Sequence, residues 1–190
     1  MPKLFTQPSS PGANDEQSSS LTVQFYKLHC QRIGAMKRHL TIPAENEAVF
    51  LWTLKSFNAF TFIPYCIEQF GAIDELCLST YTISRKITDT LVQLIDSGKL
   101  KDVHVFVSES LKFRMPDVIN QLTAVLPSRP NFRVHYAWNH SKITCARCGN
   151  NHLVLEGSGN WSDNAQYEQY LLTNSKEVYE FRKKNICPVE

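Results

Sequence analysis

From residue 42 onward the chain alternates between two hydrophobic rhythms: short apolar runs, and stretches whose apolar residues recur every three or four positions. Residues 47–54 (EAVFLWTL) form a compact apolar run and predict a buried strand. Residues 57–70 are aromatic-rich and predict a helix after Pro64 that stops at Gly71. Residues 76–81 (LCLSTY) predict the next strand. Ser84 then opens a helix with Ile87, Leu91, Leu94 and Ile95 on one face and Gly98 at its end. A short alternating strand follows at 103–107, a helix at 116–126 with Val118, Ile119, Leu122 and Leu126 on one side, and a strand at 132–138. Residues 142–146 and 152–155 read as two strands joined by a Gly-Asn-Asn turn. A strand at 167–172 and a helix at 175–184, capped by Ser175, complete the pattern.

Strands alternating with helices indicate a layered α/β domain. The late strands follow one another too closely for helical crossovers, so some pairs must be antiparallel and the sheet mixed. The expected fold is α/β, a mixed β-sheet sandwiched by helices, occupying residues 42–190. Ahead of it, residues 1–20 are rich in Ser and Pro, with Gly12 and Asn14 among them, and predict a disordered tail, because they cannot bury enough surface to offset ordering entropy. Residues 21–41 are a basic N-terminal extension carrying Lys27, Arg32, Lys37 and Arg38 and no acid. Two readings stay open there: an edge element packed on the domain, or a basic arm for nucleic acid.

Composition narrows the picture modestly. Hydrophobic residues make up 43% of the 190 and charged residues 20%, as in a globular chain. A net charge of +2 neither requires nor excludes a nucleic-acid partner, since a basic groove can hide in a near-neutral total. The most apolar long stretch, 48–70, contains Lys55, Asn58, Pro64 and Glu68. A spanning helix needs roughly 20 nearly uncharged residues, so no transmembrane segment is predicted. Residues 1–20 hold no apolar run of the signal-peptide kind, which predicts a reducing, cytoplasmic compartment in which the six cysteines are free thiols. No glycine-rich GxGxxG or GxxxxGK phosphate loop is present.

The candidate chemistry is concentrated between residues 140 and 168. His140-Ser-Lys142, read on a strand, sets an imidazole and an ammonium on one face. Imidazole is a nucleophile near neutral pH when its second nitrogen donates to a carboxylate, and the ammonium can hold a phosphoryl oxygen. Gly157-Ser158-Gly159-Asn160 supplies neutral donors, and Glu168 a carboxylate able to orient the imidazole. Taken singly each is ordinary: HxK recurs by chance, GSGN is a good turn, and Glu168 suits a surface.

Their order and spacing resemble the phospholipase D superfamily, whose signature is HxK, four residues, Asp, then GSxN and a downstream Glu. The resemblance rests on His140, Lys142, Gly157, Ser158, Asn160 and Glu168 within GSGNWSDNAQYEQY, and its α/β order extends over about residues 42–187. It implies a phospholipase D/nuclease-like fold, with His140 forming a phosphohistidine intermediate. Lys142, Ser158 and Asn160 would bind phosphate and Glu168 would orient the histidine, with no cofactor required. It also implies a homodimer, because one histidine attacks while a second protonates the leaving group and this chain has a single HxK. Two departures stand out: Arg147 occupies the position of the motif Asp, and the hairpin between Lys142 and Gly157 is about three residues longer than usual.

That hairpin contains Cys145, Cys148 and, four residues on, His152, a partial zinc set in which the metal would be structural. The competing reading is a reduced pair in an exposed turn. Asn139, Trp161 and Asn164, with Gln166, are further candidates for substrate or phosphate contact. Trp138 and Trp161 could stack on a base or pack in the core, and packing is the better reading for Trp138. Ser79 and Thr80 end an early strand, where sites of α/β sheets lie. The leading functional expectation is a metal-independent hydrolase, a phosphodiesterase acting on nucleic acid as a DNA-binding endonuclease. Alternatives are a catalytically silent nucleic-acid-binding or interaction module, and a lipid or small-molecule phosphodiester hydrolase.

Overall fold

The computed structural model describes residues 17–18, 23–28, 40–54, 58–162 and 167–187. Among the described residues nine strands form one mixed sheet: β1 (Gln17–Ser18), β2 (Val23–Leu28), β3 (Glu47–Leu54), β4 (Glu75–Thr80), β5 (Val103–Ser108), β6 (Phe132–Ala137), β7 (Ile143–Cys148), β8 (Asn151–Gly157) and β9 (Tyr167–Asn174). Their spatial order is β1-β2-β3-β9-β8-β7-β4-β5-β6. β4, β5 and β6 run parallel, and β4-β7-β8-β9-β3 alternate antiparallel. The expected α/β class with a mixed sheet is therefore observed. β2 joins as a parallel neighbour of β3. Residues 29–39, with Arg32, Lys37 and Arg38, and most of 1–22 lie outside the described residues.

Each helix forms where the sequence supplies both a start and an apolar face. α1 (Phe62–Phe70) begins before Pro64, not after it. A proline in the first turn costs no hydrogen bond, because those N–H groups have no intrahelical partner. A one-turn lead-in, residues 59–61, is fixed by a reciprocal cap: Thr61 N donates to Asn58 Oδ1 at 3.1 Å and Asn58 N to Thr61 Oγ1 at 3.3 Å. α2 (Arg85–Asp96) is capped by Ser84 and buries Ile87, Leu91 and Ile95 at four-residue steps. The short α3 (Leu111–Arg114) precedes α4 (Pro116–Val125), which has proline at its first position and buries Val118 and Leu122. α5 (Lys176–Ile186) follows Ser175, whose hydroxyl, contrary to expectation, does not cap the helix. The Ser175 N–H instead donates to His152 O at 3.0 Å, tying the helix entry to β8.

Strand alternation sorts the core into two clusters. Leu76 and Leu78 of β4, Ala146 of β7, and Leu153 and Leu155 of β8 join the larger one with α1, α2 and α4. Cys77, Cys145 and Val154, one residue out of phase, form the smaller one with Tyr179, Ile186 and Cys187 around α5. All six side chains of β4 are buried, as befits a strand flanked on both sides and covered on both faces. No helix among the described residues is long and apolar enough to cross a membrane.

Candidate active site

The sheet topology gathers one set of strand termini at a common end. Ser79 of β4 pairs with Ile143 of β7, Ile143 with Glu156 of β8, Gly157 with Tyr170 of β9, and Glu168 with Thr53 of β3. The ends of β3, β4 and β8 and the starts of β7 and β9 therefore border one region. His140 and Lys142 enter it just ahead of β7, not on a strand as expected, since β7 starts at Ile143. They meet nonetheless. Lys142 Nζ lies 3.2 Å from His140 Nδ1 and donates to His140 O at 2.7 Å. The His140 ring packs on Tyr81, with centroids 4.6 Å apart.

Asn139 fixes the approach of this segment. It is buried, and its amide donates to Ser79 Oγ at 2.8 Å and Phe106 O at 3.3 Å. Its oxygen accepts from Ser141 N at 2.9 Å and Ser141 Oγ at 2.7 Å. Both halves of the side chain are thus spent within the fold, which removes Asn139 from the substrate contacts and makes it the anchor of the His140 loop. Ser79 and Thr80 are likewise fully buried. Ser79 Oγ shares a 2.5 Å hydrogen bond with Ser141 Oγ, and Thr80 Oγ1 accepts from Trp161 N at 3.2 Å.

The Gly157–Asn160 segment crosses β9 at very close range. A Cβ on Gly157 would fall 2.0 Å from Gln169 O, and one on Gly159 would fall 1.8 Å from Tyr170 Oη. Only glycine permits this approach. Between them, Ser158 Oγ donates to Glu168 Oε2 and accepts from Gln169 N at 3.1 Å. Asn160 Oδ1 is buried without a hydrogen-bond partner among the described residues. An unpaired buried acceptor of this kind costs about 1–3 kcal/mol. Trp161 closes the segment. It is fully buried, donates from Nε1 to Thr144 Oγ1 at 3.1 Å and packs edge-on to Phe60. It therefore cannot contact substrate. Trp138, expected in the core, is 89% exposed because β6 ends at Ala137. Asn164 and Gln166 lie outside the described residues.

Burial lowers the Lys142 ammonium below the ordinary lysine range, against the opposing pull of the Glu168 carboxylate and Tyr81. Lys142 makes no ion pair among the described residues. At the far end of the hairpin, Arg147 stands where the motif has Asp, and the turn is held from β4 instead. Gly149 N donates to Asp74 Oδ2 at 2.8 Å, Asp74 N donates to Arg147 O at 2.8 Å, and the Arg147 guanidinium lies 3.7 Å from both Asp74 and Glu75.

The zinc expectation fails on strand parity. Cys145 and Cys148 are three residues apart on one continuous strand, so their thiols leave opposite faces. Cys145 lies in the smaller core and Cys148 in the larger, beside Cys66. Burial pushes the Cys145 thiol up, whereas a zinc ligand must be a thiolate. His152 Nδ1 lies 3.0 Å from Asn150 O and the ring packs against Tyr179. The three residues do not fit a common ion.

Two site neighbours escaped the sequence reading: Tyr81, and Arg114, whose guanidinium lies 4.7 Å from the Tyr81 ring. The available signal was Lys112-Phe113-Arg114 a few residues after β5, the parallel neighbour of β4.

No protein-family model matches the chain, and no curated protein matches it in sequence. The fold does have solved counterparts. Polyphosphate kinase from Porphyromonas gingivalis superposes with a TM-score of 0.53 at 16% identity, covering 74% of this chain and 26% of that one. Phosphatidylserine synthase from Haemophilus influenzae Rd KW20 superposes with a TM-score of 0.57 at 12% identity, covering 77% and 40%. At these identities the likeness concerns the fold alone. The chain spans less than half the length of either.

Proposed function

We propose that the chain is a metal-independent phosphodiesterase that cleaves nucleic acid through a phosphohistidine on His140, with its site completed by a second copy of the chain. The observation that carries this reading is the convergence at one sheet end of His140 and Lys142 with Ser158, Asn160 and Glu168. The fold likeness adds that two proteins named for phosphorus chemistry share the architecture.

The ammonium of Lys142 can only donate, so its contact makes His140 Nδ1 the acceptor and leaves the proton of a neutral ring on Nε2. An arriving phosphate draws Lys142 onto its oxygens and releases Nδ1, which then takes the proton and frees Nε2 to attack. A His140–phosphorus bond forms as the bond to the leaving oxygen breaks, and that oxygen takes a proton from the second copy's His140, which enters the step as the imidazolium and leaves it neutral. Water then attacks phosphorus, giving its proton back to that second histidine as the nitrogen–phosphorus bond breaks. Lys142 and the Asn160 amide stabilise the charge on the non-bridging oxygens, joined by Ser158 once its hydroxyl turns from Glu168 to the phosphate.

A silent binding module is favoured by one observation, the occupation of His140 Nδ1 by Lys142 in the resting chain. Incubation with single- and double-stranded DNA and RNA in excess chelator, with His140→Ala alongside, separates the readings. Chelator-resistant cleavage lost in the variant supports the phosphodiesterase. Binding without cleavage by either protein supports the module. Turnover of a model phosphodiester without nucleic-acid binding favours a lipid or small-molecule substrate. Light scattering of the active species reads the dimer, and a strictly monomeric active enzyme contradicts the shared site.

A further inference from the structure

Tyr81 gathers more than the histidine. The His140 ring lies 4.6 Å from its ring, the Arg114 guanidinium 4.7 Å and Lys142 Nζ 5.9 Å. Arg114 ends α3, and Lys112 of the same helix sits 4.9 Å over the Tyr136 ring. Between these two cations Phe113 is 86% exposed, and Trp138 stands two residues before His140. Neither ring is on a loose end. Leu111 and Asn139 are buried beside them, and Glu109 N donates to Ala137 O at 2.8 Å, tying the entry of α3 to the end of β6. The rim next to His140 therefore presents two large, almost fully exposed aromatic rings together with fixed cations.

We propose that this rim is a binding track for single-stranded nucleic acid, with bases stacked on Trp138 and Phe113 and the backbone carried past Arg114 toward Lys142 and His140. The track rests on the phosphodiesterase reading for where the scissile phosphate goes, and on the rim alone for binding. An aromatic face can stack only on a base whose own face is free, which a duplex does not offer. Arg114 sets a phosphate partner next to the Phe113 ring, while Lys112 on its other side is paired with Glu109 at 3.0 Å. A membrane-binding element would want a contiguous apolar face, whereas Phe113 has a cation on each side and Trp138 is followed by the buried, polar Asn139.

The test is equilibrium binding of a fluorescein-labelled oligothymidylate in a His140→Ala background, which prevents cleavage during the measurement. Trp138→Ala and Phe113→Ala each weaken binding about tenfold, the loss of one base-stacking contact. Trp138→Phe recovers most of the affinity. Phe181→Ala, which removes an exposed ring of α5, leaves it unchanged. Arg114→Gln weakens binding and reduces the salt slope by about one. Unchanged affinity in Trp138→Ala and Phe113→Ala overturns the track. So does equal, ring-dependent binding of a hairpin duplex, or ring-dependent sedimentation with phosphatidylglycerol vesicles in place of oligonucleotide binding. Loss of the track while His140-dependent cleavage of a small phosphodiester persists rejects the track alone. Ring-dependent binding without any cleavage by the unmodified chain keeps the track and rejects the phosphodiesterase.

Discussion

At the turn end of the β7–β8 hairpin, charged groups satisfy one another; at the open end, Lys142 faces the His140 ring and no carboxylate within ion-pair distance among the described residues. Glu75 takes hydrogen bonds from Lys183 at 2.7 Å and Tyr179 at 2.9 Å, and Asp74 from Lys101 at 2.7 Å, with Arg147 beside both acids. Lys142 has only the nitrogen and carbonyl of His140 as hydrogen-bond partners among the described residues, with Glu168 acting on it at longer range. The two ends use the same side-chain chemistry. What separates them is whether a charge is consumed by its neighbours, and that separates structural ion pairs from groups kept ready for a ligand.

Substitutions at the open end should reduce turnover and leave folding intact, and those at the turn end should do the reverse. His140→Ala carries the largest effect, a loss of about 10⁴-fold or more in phosphodiester cleavage with an unchanged thermal midpoint. Lys142→Ala costs about 10²–10³-fold in kcat, the loss of one donor to developing charge, measured on the same substrate. At the turn end, Glu75→Ala leaves Lys183 without its partner and destabilises the fold by about 3 kcal/mol in urea titration. Gly159→Ala belongs to both classes. Its Cβ strikes buried Tyr170, costing about 1–3 kcal/mol, and it displaces Ser158, so stability and activity fall together.

The smallest predicted effects are in pH dependence, and they again differ between the ends. Burial pushes the Glu75 carboxyl up, but hydrogen bonds from Lys183 and Tyr179 outweigh it and hold it below the usual range. Its stabilisation is complete above the unfolded-state carboxylate value and is lost as pH falls through the lowered folded value. Burial likewise lowers Lys183, yet the bond and charge of Glu75 raise it, so its share is complete below the ordinary lysine value and is lost as pH rises through the raised one. Stability should therefore stay level through neutrality. At the open end Lys142 is lowered, so its phosphate grip should fail on the alkaline side earlier than an ordinary lysine would. Lys142→Arg should move that limb of the kcat/KM profile to higher pH.

Much of the fold was legible because each element carried local instructions. Ser84 and Gly98 bracket α2, and Gly149, at φ +58°, makes the tight hairpin turn. The HxK and GSxN segments, singled out by their order, spacing and resemblance to a family signature, are brought to one end of the sheet. Asn139 and Trp161 were misread because a polar or aromatic residue beside a motif has the same appearance whether it faces ligand or core. Only Ser79, Phe106 and Thr144, distant in sequence, show that these two side chains are consumed. The Cys145–Cys148 reading failed on one boundary: ending the strand at 146 allowed a turn, whereas continuing it to Cys148 sends the thiols apart. The substitute for the motif Asp, Asp74 just ahead of β4, was invisible until sheet pairing brought it beside Arg147.

The central claim is that His140 bonds to phosphorus during turnover. Mass spectrometry of the chain after an alkaline quench in mid-reaction with a labelled phosphodiester tests it directly, since phosphohistidine survives base. The account predicts a single phosphoryl adduct on the peptide containing His140, absent in His140→Ala. Steady turnover with an unmodified His140, or an adduct on another residue, would contradict it.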